Sequence, residues 1–420
     1  MNLLMAPTIS KAKGHKLLGN QCAKGRAAKL LRIFEFVKAY FTEQLQIIDT
    51  VSISKAKNMV TKNIKVSIII PVYNVSPYLM DCLQSVMRQT YAGSMECLLV
   101  DDCSEDDSMA IAERMIREYD EGRSKKEEGR RKKDDNVDEN EERRTKDDNV
   151  RGRISFRVIR HERNRGLSAA RNTGTHEATG DYLYYLDSDD EITDDCIEKL
   201  MQRVIEDPDI EMVQGSVCSH HMNGESVVSP KRIVLPLASS NEEVRKCFYQ
   251  YKQIYVSVWN RLLKRRVIIE NNILCKEGML YEDTLWTFNL LKYVKKAAFV
   301  ADITYHYKKR SQSITTSTDE KTSGSHLNIV YREIMNNLTP GHEQQECKFY
   351  GVGVAGVHVR YVRMVPECKE VLRLCQENCK QYGSRYLQMI LAVSSVLGKY
   401  RYGYTVWRCL MWGRRIIKRH

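Results

Sequence analysis

The chain has 420 residues, of which 42% are hydrophobic and 8% aromatic, and its formal net charge is +12. That length and apolar content support a large α/β domain with an accessory part and exclude wholesale disorder. The basic balance admits three classes of partner: nucleic acid, an anionic membrane surface, and phosphate-bearing substrates.

Residues 1–64 stand apart from the rest of the chain. Leu30, Phe34, Val37, Phe41 and Ile48 recur at helical spacing among Lys and Arg. Two readings stay open: a basic amphipathic extension, or an upstream segment ahead of a true start at Met59. From Val66 the pattern becomes α/β. Val66–Val72 (VSIIIPV) is a short β-branched run, as in a strand buried on both faces. Ser76 and Pro77 read as N-cap and first helical residue, followed by Leu79, Leu83, Val86 and Met87 at helical spacing. A second strand is expected over Cys97–Val100. Ser104 and Asp107 resemble a capping box, with a helix through Ile111, Met115 and Ile116.

Between Tyr119 and Arg153 the composition narrows to Lys, Arg, Glu, Asp, Asn and Gly, and the unit KDDNV occurs at Lys133–Val137 and Lys146–Val150. Such a segment buries too little apolar surface to offset chain entropy, so a disordered, solvated insertion is expected over 119–153. Further strands are expected at Ile154–Ile159 and Tyr182–Leu186. Thr193 is placed to cap a helix whose Ile197, Leu200, Met201, Val204 and Ile205 form one stripe. Alternating strands and helices imply a mostly parallel sheet covered on both faces. Residues 316–420 read as a mainly helical C-terminal region.

The 13 cysteines are scattered, and no CxxC pair occurs. Cys375 and Cys379 lie one helical turn apart without a matching second pair, so free thiols are expected rather than zinc ligands. The N-terminus lacks the ordered regions of an export signal, and the longest apolar stretch, Tyr386–Leu397, is too short to span a bilayer. Unpaired thiols fit a reducing cytoplasm.

In an open parallel sheet, ligands bind outside the carboxyl ends of the strands. There the first strand ends in Pro71-Val72-Tyr73-Asn74, the second in Asp101-Asp102, and the fourth in Asp187-Ser188-Asp189-Asp190. Carboxylates gathered without a cation repel and raise one another's pKa. Oxygen donors with open positions for phosphate suit Mg²⁺ or Mn²⁺.

The ordered motifs VSIIIPVYN, LLVDDCSEDDS, NRGLSAARNTG and GDYLYYLDSDD resemble the family 2 glycosyltransferases of GT-A fold, apart from the charged insertion. WNRLLKR at Trp259–Arg265, LYEDTLW at Leu280–Trp286 and TYHYKKRSQSIT at Thr304–Thr315 resemble the second half of bacterial members. The likeness covers about Val66–Thr315. It implies a GT-A domain over 65–315 and an inverting transfer of sugar from a nucleotide-sugar, with UDP the expected carrier, to an acceptor hydroxyl in glycan or polysaccharide synthesis. It implies that Pro71 and Tyr73 line the base and ribose pocket and that Asp102 bonds the base. Arg171 would lie near the phosphates. Asp187 would contact ribose and metal, and Asp189 would be the direct ligand of Mn²⁺ or Mg²⁺. Asp283 would be the catalytic base, with its neighbour Glu282 the alternative carrier of that role. Cys103 stands where many relatives carry Gly; a positive φ there would strain it mildly.

Asp101 reads as structural. His306, in an alternating strand, reads as a packing or surface residue, with metal ligation the alternative. Arg310 and Ser313 are candidates to approach a diphosphate, and Trp259 reads as core or acceptor wall. A sugar nucleotidyltransferase would want a Gly-rich phosphate loop where Val75-Ser76-Pro77 stands. A non-catalytic nucleotide or nucleic-acid binder is opposed by intact Asp189 and Asp283 and by the absence of an RNA-binding or zinc motif. After Glu377 no acidic residue occurs to His420, while Lys399, Arg401, Arg408, Arg414, Arg415, Lys418 and Arg419 alternate with Tyr400, Tyr402, Tyr404, Trp407 and Trp412. This pattern suits a peripheral tail on the cytoplasmic membrane face, where a lipid-linked acceptor would be presented.

Overall fold

The computed structural model describes residues 64–134, 154–310, 318–382 and 385–417, with the side chains of 126–134 and 412–417 left aside. The N-terminal extension, the KDDNV repeats beyond Asp134, Ser313 and the last three residues lie outside the described residues. The described residues all belong to one compact unit.

The first half of the sheet is parallel. β1 (Lys65–Val72) lies between β2 (Ser94–Asp101) and β4 (Tyr182–Tyr185), and β3 (Ile154–Arg160) flanks β2. Every residue of β1 after Lys65 is buried, which is why the strand reads as one apolar run. Its side chains alternate between two cores. Ile68 and Ile70 join Cys97, Leu99 and Tyr184 on one face, while Ile69 joins Leu98, Leu183 and Tyr185 on the other.

The second half is mixed. β9 (Arg261–Lys264) runs antiparallel between β4 and β6 (Met212–His220), and β10 (Ala297–Lys308) lies parallel to β6. β5 (Glu191–Ile192) closes that edge, β7 (Ser226–Ser229) pairs with β6, and β8 (Leu237–Ala238) pairs with β10. The sheet is therefore parallel in the strands that carry the acidic motifs and mixed beyond them.

Helix α1 (Ser76–Met87) has Pro77 in its first turn, but its N-cap is Val75, one residue earlier than the Ser76 cap expected. Helix α2 (Ser108–Asp134) corrects the start of the charged insertion: the chain stays helical past Tyr119 to Asp134. Lys, Arg and Glu are good helix formers, and where the charged stretch begins the helix is anchored by Tyr119, whose ring meets Phe156 edge-on at 5.4 Å. Helices α3 (Leu167–Glu177) and α4 (Cys196–Glu206) come after β3 and β5. The cap of α4 is Asp195 rather than Thr193.

Helices α5 (Asn241–Tyr249), α6 (Arg265–Glu270) and α7 (Glu282–Tyr293) cover the second core, and the C-terminal helices enlarge it. These are α8 (Glu320–Asn336), α9 (Glu343–Tyr361), α10 (Cys368–Tyr382), α11 (Arg385–Leu397) and α12 (Gly403–Ile417). Ile334, Tyr350, Val354, Leu372, Leu391 and Trp407 share a core with Phe288 and Leu291 of α7. Arg245 of α5 and Glu346 of α9 form a fully buried ion pair, and Glu346 also accepts hydrogen bonds from the Thr339 amide and hydroxyl at 2.7 Å. Such a pair tolerates no loss of one partner. The C-terminal helices are thus packed into the sheet domain rather than appended to it.

Candidate active site

The carboxyl ends of β1, β2 and β4 lie side by side because their registers run together: Val72 pairs with Asp101, and Ile69 with Tyr185. The loops beyond these ends carry the polar groups. Asn74 and Cys103 both adopt left-handed backbone, at φ 50 and 66. Cys103 thus carries the mild strain of a side chain in left-handed backbone. Asn74 ties the two loops together by accepting from the Glu105 amide at 2.9 Å. Pro71 is buried within β1, whereas Tyr73 is exposed at the strand end.

Asp102 is buried. Its carboxylate accepts from the backbone amides of Arg165 at 2.9 Å and Gly166 at 2.6 Å and meets His161 Nδ1 at 2.6 Å. It therefore anchors the loop leading into α3. A carboxylate offers about four acceptor sites, and His161, Arg165 and Gly166 occupy three of them. Asp101 accepts from the Ser104 amide and pairs with Arg160, a structural use.

The acidic triplet sits in the turn after β4. Asp187 accepts from Arg171 Nη2 at 2.7 Å, and Asp189 is ion-paired with Arg310. The Arg310 guanidinium lies 4.6 Å from the centroid of the Tyr78 ring. Asp190 is fully buried, where it accepts from Tyr305 Oη at 2.8 Å and from the Lys308 amide at 2.9 Å. Burial pushes the Asp189 carboxyl up, repulsion from Asp187 adds to this, and Arg310 opposes it. Asp190 is raised further, by burial and then by Asp189 and Asp187. Of these three crowded acids, Asp187 is matched by Arg171 and Asp189 by Arg310, while Asp190 has no cationic side chain bonded to it. The donors are all oxygen, which fits Mg²⁺ or Mn²⁺.

Arg171 joins this turn to α7. It is buried, and its second terminal nitrogen donates to Glu282 Oε1 at 2.7 Å. The paired acids hold its pKa above the ordinary arginine value although burial opposes them. Through Arg171 the acidic turn is tied to Glu282, the residue next to Asp283 at the start of α7. Glu282 is thereby committed to Arg171. Asp283 accepts from the Thr284 amide at 2.7 Å and from the Thr284 hydroxyl at 3.4 Å. Burial, with Glu282 second, raises its pKa to about 6. Tyr281, just before α7, holds φ 62, and the preceding Leu280 amide donates to His326 Nδ1 of α8 at 3.0 Å.

Several of these roles are not evident from the sequence. Asp190 is the third acid of a motif that reads as a pair, and Tyr305 and His326 carry no signal of their own. Trp259 stacks on Tyr305, with centroids 4.4 Å apart and planes 11° apart, and packs against the core on that face of the sheet. His306 does not reach the triplet. Strand alternation turns it to the face opposite Tyr305, where its Nδ1 meets His220 Nε2 at 2.9 Å.

A parallel half-sheet that ends in an acidic turn, continued by an antiparallel strand and a mixed half, defines the GT-A architecture. The profile of "Glycosyl transferase family 2" matches residues 67–139 and 133–270, two segments that meet at the charged insertion. The chain is 25% identical over 260 residues to the uncharacterized glycosyltransferase YibD of Escherichia coli, covering 61% of this chain and 65% of that protein. It is 23% identical over 320 residues to the glycosyltransferase GlyG of Streptococcus pneumoniae, covering 74% and 90%. Its fold resembles S. aureus TarS residues 1–349, solved in complex with UDP-GlcNAc, at TM-score 0.58 and 18% identity, covering 82% of this chain and 91% of that one. The chain belongs to family 2 of the glycosyltransferases.

Proposed function

We propose that this protein transfers a sugar, with inversion, from a UDP-sugar to an acceptor hydroxyl in the synthesis of a glycan or surface polysaccharide. The observation that supports this reading is the Asp187–Arg171–Glu282 bridge, which ties the acidic turn to the neighbour of Asp283, a carboxyl of raised pKa. The UDP-GlcNAc bound by TarS supports a uridine nucleotide as carrier.

Pro71 and Tyr73 would flank the base and Asp102 would offer its remaining acceptor site to it. Asp187 and Asp189 would hold a divalent cation, Mn²⁺ or Mg²⁺, which when bound neutralises charge developing on the diphosphate. Arg310, released from Asp189 by that cation, would turn to the phosphates. The acceptor oxygen attacks the anomeric carbon as the bond from that carbon to the diphosphate oxygen breaks. Asp283 takes the proton of the acceptor hydroxyl, and the nucleoside diphosphate leaves with the bonding pair. A base with a pKa of about 6 is ionised at neutral pH and still a competent proton acceptor. Trp259, stacked on Tyr305, supplies an apolar wall suited to a sugar face.

The acceptor is proposed to be carried at a membrane surface reached by the C-terminal helices on the cytoplasmic side. Release of UDP from a panel of UDP-sugars, with and without lipid-linked acceptors, tests the reading. Absence of turnover with every uridine donor and activity with another nucleotide-sugar would overturn the choice of carrier.

A further inference from the structure

We propose that Cys218, His220 and His306 form a second metal site, selective for zinc-like ions and separate from the acidic turn. Their ligand atoms, one sulfur and two ring nitrogens, all lie within 4.8 Å of one another. The sheet dictates the grouping. His306 of β10 is in register with Cys218 of β6, and His220 lies two residues further along β6, so all three project from one face. Tyr305 and Tyr307 project from the other face, where Tyr305 holds Asp190.

The polar surroundings suit a cation. His220 Nδ1 meets Ser226 Oγ of β7 at 3.0 Å, which directs its Nε2 inward. That nitrogen faces His306 Nδ1 at 2.9 Å, so the two lone pairs share one proton. A cation bound by both replaces the proton; tetrahedral Zn²⁺, with Zn–N of about 2.0–2.1 Å, would set the nitrogens roughly 3.3 Å apart, a small outward shift. Glu191 of β5 lies in register with His306 and is ion-paired with Lys308. The nearby Lys308 ammonium is compensated by Glu191 and Asp81. Cys218 is buried, whereas both imidazoles are part-exposed, which leaves the fourth position to water.

Thiolate and imidazole donors select borderline and soft ions, unlike the oxygen donors of Asp187 and Asp189. Binding releases the Cys218 thiol proton to solvent and converts the sulfur to the thiolate ligand. The ion would clip β6 to β10 on the face behind Tyr305 and Asp190, so its role is to brace the strand that positions them.

The test uses the full chain, stripped with a chelator and titrated with Co²⁺ alone. The expected result is a thiolate-to-cobalt charge-transfer band with tetrahedral d–d bands, saturating at one ion per chain. Cys218→Ser and His306→Gln should abolish them; Cys347→Ser, remote from the site, and Asp189→Ala should retain them. Ser226→Ala should weaken binding by about 10–100-fold, because it removes the partner that orients His220. Absent bands, or bands that survive Cys218→Ser, overturn the site. If a ligand variant fails to fold, Zn²⁺ must still raise the unfolding temperature of the stripped wild-type chain, and no rise overturns the site equally.

Discussion

The guanidinium of Arg310 is ion-paired with the carboxylate of Asp189. The pair gives the acidic turn an internal countercharge at the position where a divalent cation would bind. Cation and guanidinium would therefore compete for one carboxylate. Arg310→Ala should tighten Mn²⁺ binding to the nucleotide-free protein by roughly tenfold, the equivalent of about 1.4 kcal/mol, and should weaken UDP binding. Calorimetry with each ligand separates the two effects. Unchanged Mn²⁺ affinity would show that Arg310 does not guard the site.

Asp189→Ala should preserve the fold and abolish transfer, and EDTA should stop the wild-type reaction until Mn²⁺ or Mg²⁺ is restored. Asp189 is raised by burial and by Asp187, so its removal relieves repulsion in the folded state. A thermal melt should show no loss of stability. Wild-type turnover in Asp189→Ala would exclude the metal assignment.

Asp283 links activity to pH. A base with pKa about 6 predicts that kcat/KM rises with pH and reaches half its plateau near pH 6. Asp283→Asn should cut turnover by about 10²–10⁴-fold with donor affinity little changed. The sign for stability is opposite. A carboxyl raised in the folded state makes the unfolded chain the weaker proton binder, so Asp283 costs stability increasingly from about pH 4 to above pH 6. Asn keeps an acceptor for the Thr284 amide and carries no charge. The variant should therefore be more stable than wild type at pH 7, by roughly 1–3 kcal/mol, and equal to it at pH 4. Denaturant unfolding at the two pH values checks this. A variant less stable at pH 7 would mean that the carboxylate is held by more than Thr284.

Arg171 is the structural counterpart. Replacing it with Met would leave Glu282 buried without its cation and Asp187 without its donor. Loss of one partner of a buried pair costs about 3–5 kcal/mol. Arg171→Met combined with Glu282→Gln should recover much of that stability without recovering transfer. If the double variant is no more stable than the single one, the bridge is not what makes Arg171 costly to lose.

The catalytic edge is legible in the sequence because buried parallel strands appear as apolar runs and because the residues after them, Tyr73, Asp102 and Asp187, are contiguous with those runs. The illegible part depends on pairings distant along the chain. Nothing local shows that β9 inserts antiparallel between β4 and β6, or that His306 aligns with Cys218. The same holds for Glu282, which reads as an alternative base and proves to be the anchor of Arg171. Charge composition misleads at Tyr119–Asp134, where helix propensity and one aromatic anchor extend α2.

Membrane contact would fall to the C-terminal helices. Among the described residues no helix is long and apolar enough to cross a bilayer. The C-terminal pair α11 and α12, with the turn between them, nevertheless exposes Met389, Val396, Tyr400, Tyr402, Val406 and Leu410, with Tyr402 70% and Tyr400 62% accessible. Lys399, Arg401 and Arg408 lie among them. Trp407, which reads from the sequence as part of the interfacial set, is instead buried with Val354 and Leu391. It docks α12, so truncation at Leu397 would remove core as well as surface. Point variants are the cleaner probe. Each basic residue near an anionic leaflet contributes about 1 kcal/mol, so changing Lys399, Arg401 and Arg408 to Glu should weaken binding to phosphatidylserine vesicles by at least about a hundredfold. Changing Tyr400, Tyr402 and Leu410 to Ser should weaken it at high salt as well, because apolar insertion is not screened. Co-sedimentation of the full chain with anionic and neutral vesicles measures both, with transfer to a soluble acceptor as the control for folding. Equal sedimentation by wild type and both variants would remove the tail from membrane recognition.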